Sequence, residues 1–230
     1  MILTMPGRGV AASDFEIDRN DALAPERGGR LGSVSLGEPL WHAKYELSRS
    51  MSLDLSDEWR AFAARLRGPQ RVLVGQDRTR RYPRNYPDGF AKATRVAGTP
   101  FDGAAASWSQ AINSDLEATL TLNDLPAGLR LERGDYVGFR WDAAGSPAGT
   151  HDRLAMVRLV SPAMANAAGT LDALVEMPVP TLVVPAGAEA HLDNPACLMK
   201  VVQGGVKLGD IDTLGTLTGG TIEAMQDLRP

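Results

Sequence analysis

The sequence predicts a mainly β protein with a single α-helix. Short apolar runs recur along its second half at intervals of roughly 10–20 residues, and turn-forming residues separate them. The chain of 230 residues contains 24 glycines and 15 prolines, which divide it into short segments. One stretch carries the apolar periodicity of an amphipathic helix. A chain of this length buries a sizeable core without disulfides, and we expect its second half to form a small β-barrel or β-sandwich.

The chain is organised around residues 41–74, which predict a strand, a helix and a second strand. In the first strand apolar and polar residues alternate, so its apolar side chains share one face. These side chains are Trp41, Ala43, Tyr45 and Leu47. Residues 71–74, with the sequence Arg-Val-Leu-Val, predict the second strand.

The helix is predicted over residues 56–67. Ser56 is placed to cap its N-terminus, and Gly68 can close it in a left-handed conformation. Asp57 and Glu58 suit the positive end of the helix dipole. One stripe of the helix is apolar and consists of Trp59, Phe62, Ala63 and Leu66. Burial of each aromatic side chain against the sheet is expected to stabilise the fold by about 1.5–3 kcal/mol.

Three segments are expected along the chain. Residues 1–98 form a first β domain with an N-terminal arm, residues 99–202 form a second β domain, and residues 203–230 form an extended C-terminal tail. The boundary is placed near residues 98–103, where Pro and Gly cluster. Residues 5–40 predict either a long loop or an arm or strand that packs on a neighbouring subunit. The glycine-rich tail either adds to the second domain or reaches a partner.

Most of the second half is predicted as strands. The predicted strands are residues 118–122, 136–141, 154–160, 171–177, 182–184 and 197–202. Residues 104–113 fit either a short helix or a strand, and residues 14–18 fit a short strand. Paired glycines predict a turn or bulge at residues 27–30. Residues 221–228 could form a short helical turn.

Composition argues against several classes of protein. A net charge of −4 disfavours a general nucleic-acid binder. The single cysteine, Cys197, cannot form an internal disulfide. The first residues lack the basic start and long apolar core of a signal peptide, and no apolar run reaches the roughly 20 residues of a membrane span. We expect a protein that is made and folded in a cytoplasm.

A basic stretch covers residues 75–97. Its cationic residues are Arg78, Arg80, Arg81, Arg84, Lys92 and Arg95, and Tyr82 and Tyr86 lie between them. Basic residues interleaved with aromatics can bind nucleic acid. However, Pro83 and Pro87 break the stretch into a loop, and the acidic residues Asp77 and Asp88 flank it. This context favours arginines that pair with acids across a subunit contact or point into solvent.

No residue pattern predicts a catalytic, cofactor-binding or metal site. His42 falls on the polar face of a strand, and His151 falls in a loop. His191 lies six residues before Cys197, but the apolar neighbours of the thiol favour a buried cysteine over a nucleophile. Zinc spacing, a calcium loop, a phosphate cradle and a Gly-x-Ser-x-Gly elbow are missing from the sequence. An enzymatic role is therefore not expected.

Three stretches carry a resemblance to a known family. They are residues 24–30 (Ala-Pro-Glu-Arg-Gly-Gly-Arg) with the Pro-Leu-Trp at 39–41, the helix and strand over 59–74, and residues 131–137 (Leu-Glu-Arg-Gly-Asp-Tyr-Val) with the strands that end at 195–199. In this order the elements resemble the distal tail proteins of long-tailed bacteriophages and of related alphaproteobacterial prophages. The resemblance covers residues 24–202.

The resemblance implies a structural protein of the virion. In that family the first domain is a β-sandwich with a flanking helix that closes into a ring, usually sixfold, and the ring joins the tail tube to the hub or baseplate. The implied partners are copies of the same chain, the tail tube protein and hub or baseplate proteins. DNA would pass through the lumen without specific binding, since a weakly acidic ring does not attract it. The implied location is the tail tip, after synthesis in the host cytoplasm.

A binding module for host-surface glycans is the alternative. In some members of the family the second domain projects outward as a carbohydrate-binding-like module. Trp108 and Trp141 could stack on a sugar or could pack in the core. The ring hypothesis instead predicts that strand edges and extended termini are covered by neighbouring subunits, which enlarges the interfaces.

Overall fold

The computed structural model describes residues 1–25, 31–114, 117–145, 151–210 and 218–228. The chain is 45% strand and 8% helical, so the predicted mainly β class is confirmed. The turn predicted at residues 27–30 lies outside the described residues.

Sixteen strands and one α-helix are described. In chain order the strands are β1 (Ile2–Thr4), β2 (Val10–Asp18), β3 (Asp21–Pro25), β4 (Leu31–Ser35), β5 (Leu40–Leu47), β6 (Val72–Gly75), β7 (Ser107–Ile112), β8 (Ala118–Asn123), β9 (Arg130–Leu131), β10 (Tyr136–Trp141), β11 (Arg153–Arg158), β12 (Ala163–Met164), β13 (Leu171–Val175), β14 (Glu189–His191), β15 (Cys197–Leu208) and β16 (Gly220–Gln226). Helix α1 spans Leu53–Leu66 and is followed by a short 3₁₀ turn at Gly68–Gln70.

The chain divides into two compact units. The first unit consists chiefly of Leu3–Leu73 and Met199–Gln226, and the second chiefly of Val74–Leu198. The second unit is therefore inserted into the first. This division differs from the sequence-based boundaries, because the glycine-rich C-terminal segment returns to the first unit as part of its sheet.

The first unit is built on a six-stranded sheet with the order β1-β6-β15-β16-β5-β2. Along β5 the burial of side chains alternates as predicted, with Trp41 and Tyr45 fully buried. Phe15 of β2 packs on both rings, with centroids 6.3 Å from Trp41 and 5.8 Å from Tyr45. Burial of these aromatic rings anchors the two strands to the core.

The C-terminal segment forms a strand where a short helical turn was predicted. Strand β16 pairs antiparallel with β5 from Gly220 opposite Leu47 to Met225 opposite His42. Its side chains Ile222 and Ala224 are fully buried. Strands on both sides, β5 and β15, pair with the backbone of this glycine-containing segment, whereas an isolated helical turn would leave most of its backbone groups unpaired.

Helix α1 confirms the predicted apolar stripe but begins earlier than predicted. Trp59, Phe62 and Leu66 are buried. Ser56 is not the N-cap: its side chain is buried within the helix, and its hydroxyl donates to the carbonyl of Ser52 at 2.9 Å. A serine inside a helix commonly bonds to the carbonyl four residues back in this way. The helix ends at Arg67 and Gly68, which both have left-handed backbones with φ of 51° and 61°.

Two three-stranded sheets and one two-stranded sheet form the second unit, with the orders β11-β10-β14, β13-β8-β7 and β12-β9. One apolar core contains Leu120 and Leu122 of β8, Phe139 of β10 and Leu171 of β13. Shared burial by the faces of separate sheets is typical of a sandwich or barrel. The ambiguous residues 104–113 contain strand β7.

The strand predicted at residues 182–184 is wrong. The carbonyl of Pro180 accepts hydrogen bonds from the N–H groups of both Val183 and Val184 at 2.9 Å, which curls the chain into a turn. Leu182 is 95% exposed, and Val184 alone of the three residues is fully buried. The prolines before and after this short apolar run prevent the extended pairing that a strand requires.

Candidate assembly surface

The arm hairpin consists of β3 and β4, which pair antiparallel from Asp21 opposite Ser35 to Pro25 opposite Leu31. All five residues of β3 are exposed. The arm also exposes large apolar side chains: Leu23 is 68% exposed, Val34 64%, and Leu36, next to the end of β4, 63%. Leu23 lies opposite Ser33 and Val34 lies opposite Ala22, so the two apolar side chains occupy opposite faces of the hairpin. An isolated two-stranded hairpin is only marginally stable in water, so a partner that covers both faces would stabilise it.

The acidic edge is formed by Asp14, Glu16 and Asp18 of β2. These three residues occupy alternate positions, so their side chains share one face of the strand and follow one another at about 6.6 Å. All three are exposed. Strand β2 is the last strand of its sheet, and no described strand pairs with its outer side. Such an edge offers unpaired backbone groups to another chain.

The arginine segment, residues 78–84, lines a cavity of about 620 Å³ in the second unit. The lining side chains belong to Arg78, Thr79, Arg80, Arg81, Tyr82, Pro83, Arg84, Pro87 and Asp135. Four of the nine lining residues are arginines, against one acid. The cavity is therefore strongly cationic.

Two buried carboxylates hold the backbone of the arginine segment. Oδ1 of Asp77 accepts from the backbone N–H and the hydroxyl of Thr79, at 2.9 and 2.7 Å. The hydroxyl of Tyr136 donates to Oδ2 of Asp77 at 3.2 Å, and burial together with the Asp77 charge raises the pKa of this tyrosine.

Asp135 is the second of these carboxylates, and it accepts hydrogen bonds from the backbone N–H groups of Arg84, at 3.1 Å, and Glu132, at 2.7 Å. Because a carboxylate that accepts several short hydrogen bonds is a strong local anchor, these contacts fix the shape of the segment.

Three guanidinium groups of the arginine segment, those of Arg80, Arg81 and Arg84, form few contacts. Nη1 of Arg80 lies 3.5 Å from the carbonyl of Arg133, and Nε of Arg81 donates to Oδ1 of Asn194 at 3.3 Å. Within the described residues, Arg80, Arg81 and Arg84 form no ion pair. An arginine presents five donors, so most donors of these three side chains remain available to an anion.

The packing of Tyr82 and Tyr86 does not suit a platform on which nucleic-acid bases stack. Their rings pack on Phe90, with centroid distances of 6.3 and 5.3 Å. The hydroxyl of Tyr86 accepts a hydrogen bond from the backbone N–H of Arg130 at 3.1 Å. Stacking on successive bases requires exposed ring faces. The arrangement therefore favours the structural interpretation of these two tyrosines.

The cysteine and the histidines considered as catalytic or metal-binding residues are buried or half-buried. Cys197 is fully buried, and burial raises the pKa of its thiol. His191 is also buried, and its Nδ1 lies 2.7 Å from the carbonyl of Asp193. His42 and His151 are half-buried. The described part of the chain contains no group of three or more His, Cys, Asp or Glu side chains that could hold a metal ion.

The two tryptophans considered for sugar stacking differ in burial. Trp141 is buried in the core of the second unit. Trp108 is half-buried: its ring lies 4.8 Å from that of Phe139, and its Nε1 donates to the carbonyl of Ala188 at 2.8 Å. Trp141 therefore cannot serve the glycan-binding alternative, because stacking on a sugar requires an exposed ring face.

The arginines and the alternating strand around Asp14 were visible in the sequence, whereas the arm hairpin was not. The paired glycines near residue 28 were the only local signal that the chain reverses direction there.

No protein-family model matches the chain, and no curated protein matches its sequence. In the described residues, no helix combines the length and apolar composition that crossing a membrane requires.

Proposed function

We propose that this chain is a structural ring protein of a bacteriophage tail tip, which joins the tail tube to the hub or baseplate. The observation that carries the proposal is the arm hairpin, which exposes Leu23, Val34 and Leu36 on a two-stranded element. The resemblance of residues 24–202 to distal tail proteins supplies the kind of assembly. Copies of the chain, the tail tube protein and hub or baseplate proteins are the proposed partners.

Burial of the arm supplies a driving force for assembly. Each large apolar side chain that moves from water into an interface contributes about 1.5–3 kcal/mol before the cost of association. A ring repeats the same contact at every subunit, and the last contact closes the ring without further loss of translational freedom. The outer side of β2 can be covered in the same contact, which removes an exposed strand edge from the assembled particle.

The proposal is tested with the double variant Leu23→Asp/Val34→Asp. We expect the wild-type protein to form closed rings in electron micrographs and a single large species in light scattering, alone or with its tube or hub partner. The variant is expected to remain monomeric, because charged groups replace the apolar contacts of the arm. Its circular dichroism spectrum should be unchanged, since both side chains are exposed.

Leu182→Asp is the matched control. Leu182 is a large apolar side chain that is 95% exposed, but it lies on a turn of the second unit and not on the arm. The control should assemble like the wild type. A wild-type protein that stays monomeric even with its tube or hub partner would contradict the proposed function.

A further inference from the structure

We infer that the arginine segment is the surface on which the acidic edge of a neighbouring copy docks. The inference rests on the proposed function, since a ring of more than two subunits is held by heterologous contacts. In such a contact one patch of each subunit meets a different patch of the next. The arm hairpin and the acidic edge supply one of the two patches, and a complementary patch must exist elsewhere on the same chain.

The acidic edge is continuous with the arm hairpin. Strand β2 ends at Asp18 and β3 begins at Asp21, so a neighbour that covers the arm also meets the last carboxylates of β2. Within the described residues, Asp14, Asp18 and Asp21 form no hydrogen bond through their side chains and no ion pair. Burying these carboxylates in an interface is costly unless cations of the neighbour face them.

The arginine segment has the chemistry that these carboxylates require. A guanidinium group binds a carboxylate through two parallel N–H donors. Arg81 and Arg84 are exposed, and Arg80 lies half-buried over Gly134, where a side chain would collide with its guanidinium. Asp77, next to the segment in sequence, and the lining residue Asp135 already accept hydrogen bonds from the segment's own backbone and hydroxyl groups. Their presence fixes the segment in place.

A carboxylate-bearing strand fits this surface better than a nucleic acid does. The two tyrosines between the arginines pack inward on Phe90, so bases would find no ring to stack on. The whole chain carries a net charge of −4, which opposes general attraction to phosphate backbones. Alternate carboxylates at about 6.6 Å along β2 can pair with guanidinium groups without any need for stacking.

Charge reversal tests the inference on exposed residues. The variant Arg81→Glu/Arg84→Glu is expected to raise the protein concentration needed for ring formation by about tenfold or more, because complementary charges become repulsive. The variant Asp14→Lys/Asp18→Lys is expected to have the same defect. Combining all four changes in one chain, or mixing the two double variants, is expected to restore rings, since each contact again joins opposite charges.

Arg65→Glu/Lys92→Glu is the control with the same change in net charge. Both residues are exposed, and neither belongs to the arginine segment or the acidic edge. This control should assemble like the wild type. If Arg81→Glu/Arg84→Glu also assembles like the wild type, the inference fails while the proposed function stands. If the wild type forms no ring even with its partners, the proposed function itself fails.

Two further outcomes would overturn the inference. The first is a defect in both double variants that the four-fold combination does not repair, which would mean that the two surfaces do not face each other. The second is retardation of a DNA fragment by the wild type at physiological salt that Arg81→Glu/Arg84→Glu abolishes while rings still form. That result would assign the arginines to phosphate groups.

Discussion

At the scale of single residues, Arg95 contacts several groups at once. Its Nη1 donates to the carbonyl of Asp124 at 2.7 Å and lies 3.1 Å from the carboxylate of the same residue. Its Nη2 donates to Asp102 at 2.8 Å and to the carbonyl of Ala104 at 2.7 Å. The guanidinium carbon also lies 5.1 Å from the centre of the Phe101 ring. One side chain thereby joins position 95 to residues 101–104 and to the turn at Asp124.

Replacing Arg95 by Met is expected to lower the free energy of unfolding by about 2–3 kcal/mol. The Arg95 side chain is 13% exposed, so its loss leaves the partly buried carbonyls of Asp124 and Ala104 without this donor. The exposure of its two acidic partners keeps the loss below that of a fully buried pair. Urea denaturation measures the change, and Lys92→Met in the same loop is the control. A change below about 0.5 kcal/mol, typical of exposed sites, would contradict this account.

Asp102 predicts a pH dependence of stability. Desolvation alone would raise the pKa of this carboxyl, but hydrogen bonds from backbone N–H groups and the charge of Arg95 outweigh it and lower the pKa below its ordinary value. A carboxyl with a lowered pKa stabilises the folded state above the pKa of the unfolded chain, and the contribution is lost as the pH falls through the folded pKa. The stability difference between wild type and Asp102→Asn should therefore be constant near pH 7 and shrink below about pH 4. Thermal unfolding across this range measures it, and a difference that does not change with pH would contradict it.

At the scale of elements, strand β10 depends on one residue without a side chain. Gly138 faces His191 of β14, and a Cβ at position 138 would lie 2.6 Å from Cε1 and Nε2 of the imidazole. Such an approach forces the two strands apart. The glycine is required here by space, since its φ is not positive.

Gly138→Ala is expected to destabilise the second unit by about 1–3 kcal/mol, as overpacking of a filled core does. Removing the opposing ring in Gly138→Ala/His191→Ala should cost less than the sum of the two single changes, because the two 2.6 Å approaches are gone and only the 3.1 Å approach to Cα of Pro195 remains. Denaturation of the four proteins completes this double-mutant cycle. Gly187→Ala, whose Cβ would meet no atom closer than 3.6 Å, is the control. Additive effects in the cycle would show that the two residues do not collide.

Elements with a strong local pattern could be predicted from the sequence, and elements set by distant partners could not. Strand β5 and the buried stripe of α1 follow from periodicity alone. Strand β16 escaped prediction because its pairing with β5 joins residues far apart in the chain. The same holds for Gln226, a buried polar side chain that accepts a hydrogen bond from the N–H of Trp41 at 3.2 Å. Residues 182–184 show the reverse error, since an apolar run looked like a strand where prolines impose a turn.

The residues of the candidate assembly surface likewise include some that could be predicted from the sequence and some that could not. The arginines and the alternating acids of β2 are visible in the sequence, because charge and period are local properties. The exposure of Leu23 and Val34 is not visible, since an apolar residue in a strand pattern is ordinarily taken to be buried. Only the position of the arm hairpin in the fold shows that these side chains face solvent.

At the scale of the whole molecule, the two units are joined through two neighbouring strands of one sheet. The chain leaves the first unit along β6 and returns along β15, and these strands lie side by side in the six-stranded order. The inserted unit closes its own apolar core. The strand order of the first unit thus requires only that β6 and β15 are connected, and it does not depend on the fold of the inserted unit.

This connectivity has an evolutionary consequence. Recombination within the gene could exchange the coding region for residues 74–198 for another compact module and leave the remaining strands free to find the same neighbours. Lineages that diversify the middle of the chain while keeping its two ends would be the natural outcome of such a layout.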